Sequence, residues 1–301
     1  MKKNKLAFSL IELSVVILII GILVIGITKG SRIIIESRLK SAAALTKSSP
    51  VNVTSDLVLW LDATNSSSIA TGNFGSGVYS STIADGSMVT NWIDQTISNN
   101  SQLVMSAPDA PGRPTYVKNC TGGLPCLKFY LAGNYLQNSM GVIRKGDDYT
   151  IFAVFQRDDI TNQYLLFAQF AGSGFGSNLG IFMDSNSFGA GIGALGYGPG
   201  YDYNPLPTKQ NTPYITAVRF NQSQTNKYTV HLNSSSQSGN PSSTPNPQFA
   251  GIYVGGNNSG SGNLLNFNGR VSEIIVFNRA LKDSEITEIK SYLAKKYSIK
   301  L

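Results

Sequence analysis

Hydrophobic and polar positions divide the 301-residue chain into three regimes. From Phe8 to Thr28 (FSLIELSVVILIIGILVIGIT) almost every position is apolar, and Glu12 is the one charged residue. From Lys29 to Lys47 the pattern turns amphipathic, with Ile35, Leu39, Ala42 and Thr46 on one helical stripe and Arg32, Glu36 and Lys40 on another. Read as one helix, Phe8 to Lys47 spans about 60 Å at 1.5 Å per residue, twice a bilayer core, so part of it must pack outside hydrocarbon. Ser48-Ser49-Pro50 ends it.

Beyond Pro50, short runs rich in β-branched and aromatic residues recur between Gly, Asn and Ser clusters. They are Leu57 to Leu61, Leu127 to Tyr130, Tyr149 to Arg157, Tyr164 to Phe170, Leu179 to Met183, Tyr214 to Asn221, Tyr228 to Leu232, Gly251 to Gly255 and Arg270 to Asn278. Many short strands with turn-rich spacers predict a two-sheet sandwich rather than βαβ units. The Ser/Asn/Pro tract from Ser234 to Gln248 reads as a solvated loop. A closing helix follows, with Asp283 as N-cap, Glu285 in its first turn, and Lys295 and Lys296 complementing its negative end. Ile286, Ile289, Leu293 and Tyr297 form one apolar face directed at the sandwich.

The net charge of +7 sits at one end. Eight of the 24 basic residues precede Ser48, against only Glu12 and Glu36, so the globular part is nearly balanced. That excludes a bulk electrostatic footprint for nucleic acid on the head. Lys2, Lys3 and Lys5 before the apolar run favour a cytoplasmic N-terminus, with everything after Thr28 facing outward. Cys120 and Cys126 enclose Thr-Gly-Gly-Leu-Pro, and in a chain passing through an oxidising compartment a local disulfide is the economical reading, two reduced thiols being the alternative.

An ionised carboxylate inside hydrocarbon costs on the order of 2.5 to 3.5 kcal/mol, so Glu12 needs a positive partner. No Lys, Arg or His lies within the run; the candidates are the leader lysines, another copy of the chain, or a new α-amino group made by cutting before Phe8. A plain signal anchor explains the hydrophobicity but leaves Glu12 unexplained, and a secretory signal peptide would have a shorter apolar core. The wording Leu6-Ala7-Phe8-Ser9-Leu10-Ile11-Glu12 behind a short basic leader resembles the cleavage and methylation segment of type IV prepilins and of the pseudopilins of type II secretion. The resemblance implies cleavage between Ala7 and Phe8 by a prepilin peptidase, N-methylation of Phe8, and a role for Glu12 in registering each subunit against a neighbour's N-terminus. Ala7 stands where that family usually has Gly, and no Pro precedes Pro50, so a smoothly curved stem or a local break at Gly21, Gly26 or Gly30 is expected.

A second resemblance covers roughly Asp56 to Leu301. Leu57-Val58-Leu59-Trp60-Leu61-Asp62-Ala63, Asn91-Trp92-Ile93-Asp94 and Gly123-Leu124-Pro125-Cys126-Leu127-Lys128-Phe129 are similar to the opening of laminin-G-like, concanavalin-type jelly rolls. The run from Asn268 to Leu281 with the helix after it is similar to their close. The expected class is therefore α+β: a leader (residues 1–7), a long membrane-spanning stem helix (8–49), and a mainly β concanavalin-like jelly-roll head with a C-terminal helix (50–301).

Candidate chemistry in the head is sparse. A serine-hydrolase reading needs a histidine, and His231 lies in an ordinary alternating strand, Tyr228 to Leu232. The Glu-x-Asp-x-x-Glu spacing of glycosidases on such folds is absent, and Glu273 alone in a strand reads as an exposed or structural group. No catalytic residue is assigned, and the expectation is that the chain is not an enzyme. No cofactor is required, although oxygen-rich turns at Tyr201-Asp202-Tyr203-Asn204, Asp158-Asp159, Asp147-Asp148 and Asp94 with Asn99 are compatible with Ca2+. The glycine-rich region Gly172 to Gly200, with Tyr197, Tyr201, Asp202, Tyr203 and Asn204, is a candidate rim for a glycan or surface ligand.

Together these readings predict a minor or tip pilin-like subunit, held in the inner membrane with its N-terminus cytoplasmic and then assembled into a pilus or pseudopilus. Its head is periplasmic or extracellular and serves adhesion or carbohydrate or protein binding. The expected partners are other pilin subunits, prepilin peptidase, the inner membrane and a surface ligand. The rival readings are a pseudopilin of a secretion or DNA-uptake machine and a membrane-tethered lectin that never polymerises.

Overall fold

The computed structural model describes residues 9–72, 78–79, 82–96, 102–108, 112–130, 133–144, 146–160, 164–170, 179–184, 191–194, 206–240, 251–256 and 266–301. In chain order the elements are helix α1 (Leu10–Lys47) and strands β1 (Leu57–Asp62), β2 (Ile69–Thr71), β3 (Val78–Tyr79), β4 (Val89–Ile93), β5 (Val104–Ser106), β6 (Thr115–Val117), β7 (Cys126–Phe129), β8 (Leu136–Asn138) and β9 (Tyr149–Arg157). There follow β10 (Tyr164–Phe170), β11 (Leu179–Asp184), β12 (Gly191–Ala194), β13 (Leu206–Pro207), β14 (Pro213–Phe220), β15 (Tyr228–Leu232), β16 (Ser235–Gly239), β17 (Gly251–Val254), β18 (Gly269–Phe277) and helix α2 (Asp283–Tyr297).

The strands form two antiparallel sheets. One runs β16-β15-β14-β9-β18-β7-β6, with β1 also paired to β18, and the other runs β13-β12-β11-β10-β17-β8-β5-β4-β2-β3. Alternation sorts the first sheet's side chains into two cores. Leu59, Leu61, Ile151, Ala153, Phe155, Val218, Ile274 and Val276 point inward against the second sheet. Trp60, Phe152, Val154, Ile215, Ala217, Ile275 and Phe277 point the other way, under α2 and the end of α1. Every residue of β9 is buried because both faces of this central strand are covered.

The stem grows directly out of this outer core. Ser9 caps α1, accepting from the Ile11 N–H at 3.4 Å, while Glu12 Oε2 accepts the Ser9 N–H at 2.9 Å. At the other end Asn52 Nδ2 donates to the carbonyls of Thr46 (2.8 Å) and Lys47 (3.1 Å), satisfying groups the helix leaves open. Ala42 is buried and Leu39 and Leu45 pack beside it, so the expected apolar stripe docks on the head. Among the described residues no helix is long and apolar enough to cross a membrane. The described side chains of the apolar run stop at Gly26, about 25 Å of helix against a hydrocarbon core of ~30 Å.

Two sequence expectations are corrected here. The stretch read as a loop from Ser234 contains β16, which pairs with β15 from Tyr228↔Gly239 to Leu232↔Ser235. It is an edge strand with exposed side chains, so its backbone pairing leaves no hydrophobic signature. The N-cap of α2 is Lys282 rather than Asp283, which instead pairs with Arg219 at 2.5 Å. Glu285, at the third position, accepts the Lys282 N–H at 2.8 Å and is held by Arg279 at 2.6 Å. The Arg279 hydrogen bonds, with the Lys282 amide, lower its carboxyl to about 2.

Candidate functional site

The N-terminal half of α1 is the first candidate. Leu10, Ile11, Leu13, the continuous run Val15 to Ile20, and Ile22 to Ile25 are all exposed. Consecutive positions cover the whole circumference, and a helix apolar all round belongs inside a core or a membrane. Glu12 is exposed on this surface, its carboxylate folded back onto the helix's own first turn. Ala7 and Phe8 lie outside the described residues.

The second site lies where the stem meets the head. β1 and β18 pair so that Asp62 stands directly opposite Glu273, both on the outer face. Like charges in that relation repel. Lys296 descends from α2 between them, with Nζ 2.6 Å from Asp62 Oδ2 and 2.8 Å from Glu273 Oε2. Its side chain is 0% exposed and each carboxylate 1%. Glu273 also accepts from Trp60 Nε1 (2.8 Å), Tyr292 OH (3.1 Å) and Tyr297 OH (2.9 Å). Asp62 Oδ1 accepts from Thr64 N–H (2.8 Å) and Thr64 Oγ1 (2.7 Å), and Oδ2 from Thr46 Oγ1 of the stem (3.4 Å).

Burial raises the Glu273 carboxyl above its usual range against the lowering effect of Lys296. For Lys296 burial works downward, but the charges of Asp62 and Glu273 outweigh it and the ammonium is held above its ordinary value. Burial, then the charges of Glu273 and Asp62, push the Tyr292 and Tyr297 hydroxyls up. The sequence places Lys296 as a charge complementing the helix's negative end; the structure makes it the cation of a sealed triad. The overlooked signal was its register: Ile289, Tyr292 and Lys296 follow at helical spacing on the face that packs inward.

The remaining expected positions separate cleanly. Cys120 and Cys126 form a disulfide. Its loop touches both helices: a Cβ on Gly122, whose φ is +63°, would lie 2.3 Å from the Tyr297 carbonyl, and Gly123 lies under the Arg38 guanidinium. Asp94 is buried and spends its carboxylate on the N–H groups of Trp60 (2.8 Å) and Thr96 (3.0 Å). Asp158 sits 3.4 Å from both Lys128 and Arg270, Asp147 accepts the Arg144 N–H, and Asp148 accepts the Gln222 N–H. Among the described residues no three His, Cys, Asp or Glu side chains gather as metal ligands. Asn99, Tyr197, Tyr201, Asp202, Tyr203 and Asn204 lie outside the described residues. His231 stands half-buried on β15, where burial, with Lys290 and Arg219 nearby, lowers its imidazole to about 4 and leaves it neutral at pH 7.

A family model for the prokaryotic N-terminal methylation motif matches residues 2–28. No curated protein sequence matches the chain. Two solved structures of a GH54 α-L-arabinofuranosidase, one a mutant soaked with 4-nitrophenyl α-L-arabinofuranoside and one soaked with a cyclic sulfate inhibitor, superpose with TM-scores of 0.56 and 0.57 at 14% identity. Each superposition covers 80% of this chain, which spans 63% of the arabinofuranosidase chain. Trypanosoma rangeli sialidase in complex with sialic acid matches at a TM-score of 0.41 and 18% identity, covering 80% of this chain and 33% of its own, too distant to argue from.

The expectation that the chain is not an enzyme is corrected here, because the arabinofuranosidase structures on which it superposes are glycoside hydrolases and this fold therefore carries enzymes. At 14% identity what is shared is the fold. The motif at residues 2–28 supports a type IV pilin- or pseudopilin-like subunit.

Proposed function

We propose that the chain is a minor or tip subunit of a type IV pilus or pseudopilus, built as a leader (1–7), a stem (8–49) and a laminin-G-like jelly-roll head (50–301) that binds a surface ligand. The observation that carries this reading is the methylation motif at residues 2–28 leading into a helix whose first half is apolar on every side. Before assembly that half, continued in sequence by Ile27 and Thr28, lies in the inner membrane with the basic leader on the cytoplasmic side. Prepilin peptidase cuts between Ala7 and Phe8, Phe8 is methylated, and Glu12 pairs with a neighbouring subunit's new N-terminus. The second half of α1, docked on the outer core through Leu39, Ala42 and Leu45, carries the head out with the filament.

The ligand surface is proposed on the Tyr201, Asp202 and Asn204 rim, where aromatic faces and amides suit a polyol and Ca2+ can contribute. Binding of the detergent-solubilised full chain to a glycan array, with and without calcium, tests it. Saturable binding weakened by Tyr201→Ala supports the rim; an empty array under both conditions contradicts a glycan-binding head. The pseudopilin alternative shares the motif and differs in phenotype, deletion then abolishing secretion or uptake while sparing attachment.

A further inference from the structure

Asp62, Glu273 and Lys296 form a group that neither the stem nor the proposed ligand rim uses. Two acids and one amine are sealed together with no room for bulk water: the Lys296 side chain is 0% exposed, and its Nζ lies 5.6 Å from the Tyr292 ring centre and 5.3 Å from that of Tyr297. A buried ion pair is a poor source of stability, because the desolvation of both charges offsets their attraction. Replacing that pair by a neutral amide removes two buried charges at once. We propose that Lys296 Nζ and Asp62 Cγ join in an intramolecular isopeptide bond, formed by the chain itself with Glu273 as the proton-transfer group.

Each part of the reaction has a residue in place. Glu273 Oε2, 2.8 Å from Nζ, takes a proton from the ammonium. That proton passes from Glu273 to Asp62 Oδ2, the oxygen facing Lys296, so that the neutral acid rather than the carboxylate is attacked, and the freed lone pair on Nζ adds to Cγ to form the C–N bond. Negative charge develops on Oδ1, which already accepts two hydrogen bonds from Thr64, the backbone N–H at 2.8 Å and the hydroxyl at 2.7 Å. The protonated Oδ2 then receives a second proton, which the nitrogen gives up through the same Glu273 carboxylate. The Cγ–Oδ2 bond breaks and water leaves. The ammonium and carboxylate have become an amide and one water, Glu273 is returned unchanged, and no oxidant or co-reactant is consumed. Exclusion of water from the site then opposes the reverse hydrolysis. The bond joins the head's first strand to its last helix beside Thr46, so pull on the stem reaches both through a covalent path.

Peptide mapping by mass spectrometry of the reduced, denatured full chain reads the outcome. In the wild type the peptides containing Asp62 and Lys296 should appear joined, lighter than their sum by one water, and Lys296→Arg should release them while keeping a cation in the site. Glu273→Gln should leave them mostly unjoined. Separate peptides in the wild type overturn the proposal, and undiminished joining in Glu273→Gln overturns the part given to Glu273. Whether the bond exists does not depend on Glu273→Gln folding, because the wild-type map alone decides it.

Discussion

Replacing Glu12 with Ala is expected to remove the chain from filaments while leaving it in the membrane. An unpaired carboxylate in hydrocarbon costs on the order of 3 kcal/mol, a cost that pairing with a neighbour's α-amine relieves only on assembly. At ~1.4 kcal/mol per factor of ten, losing that relief corresponds to about a hundredfold fall in the fraction incorporated. Glu12 also accepts the Ser9 N–H in the first turn, so the Ala variant removes a helix cap together with a charge. Glu12→Gln separates the two, since its amide oxygen can still accept that hydrogen bond but carries no charge. The measurement is the ratio of chain in the sheared filament fraction to chain in the membrane fraction. Both variants should lose filament signal; recovery by Gln would assign Glu12 to capping, and unchanged incorporation of both would favour a simple tether.

The second large effect is on stability. Lys296→Met removes the only cation between Asp62 and Glu273, which face one another across β1 and β18 at 1% exposure. Removing one partner of a buried pair typically costs about 3–5 kcal/mol. The pH dependence has a definite sign. Glu273 already has a raised carboxyl because of burial, and without Lys296 to oppose that rise it moves further up. An acid whose folded value lies above its unfolded one supports the fold below the unfolded value, near 4.3, and loses that support as pH rises through the folded value. The variant's melting temperature should therefore fall well below wild type at pH 7 and recover part of the gap toward pH 4. Equal destabilisation of Lys296→Met at both pH values would show that lost packing, rather than unpaired charge, accounts for the effect.

What could be read in advance depended on whether a residue's neighbours lie close in sequence. The boundaries of β9, β10 and β15 are the runs expected, because aromatic and β-branched residues crowd there between turn residues. The docked stripe of α1 was legible from the helical spacing of Leu39, Ala42 and Thr46. Strands as short as β2, β3, β5 and β8 carry too few side chains for alternation to register, and β16 is an exposed edge strand whose backbone pairing leaves no hydrophobic pattern. The Asp62–Glu273–Lys296 group was hidden for a different reason. Its members are brought together only by the pairing of β1 with β18 and the docking of α2, and each alone resembles a surface charge. Glu12 was conspicuous because its neighbours along the chain are all wrong for it.

The N-terminus of the mature chain tests the pilin-like reading most directly. Mass spectrometry of protein from its native membrane should find a first residue of Phe8 bearing an N-methyl group, with Lys2, Lys3 and Lys5 gone. A chain that still carries Met1 and the three leader lysines would contradict assembly through a new α-amine, and leave the head as a module on a membrane tether.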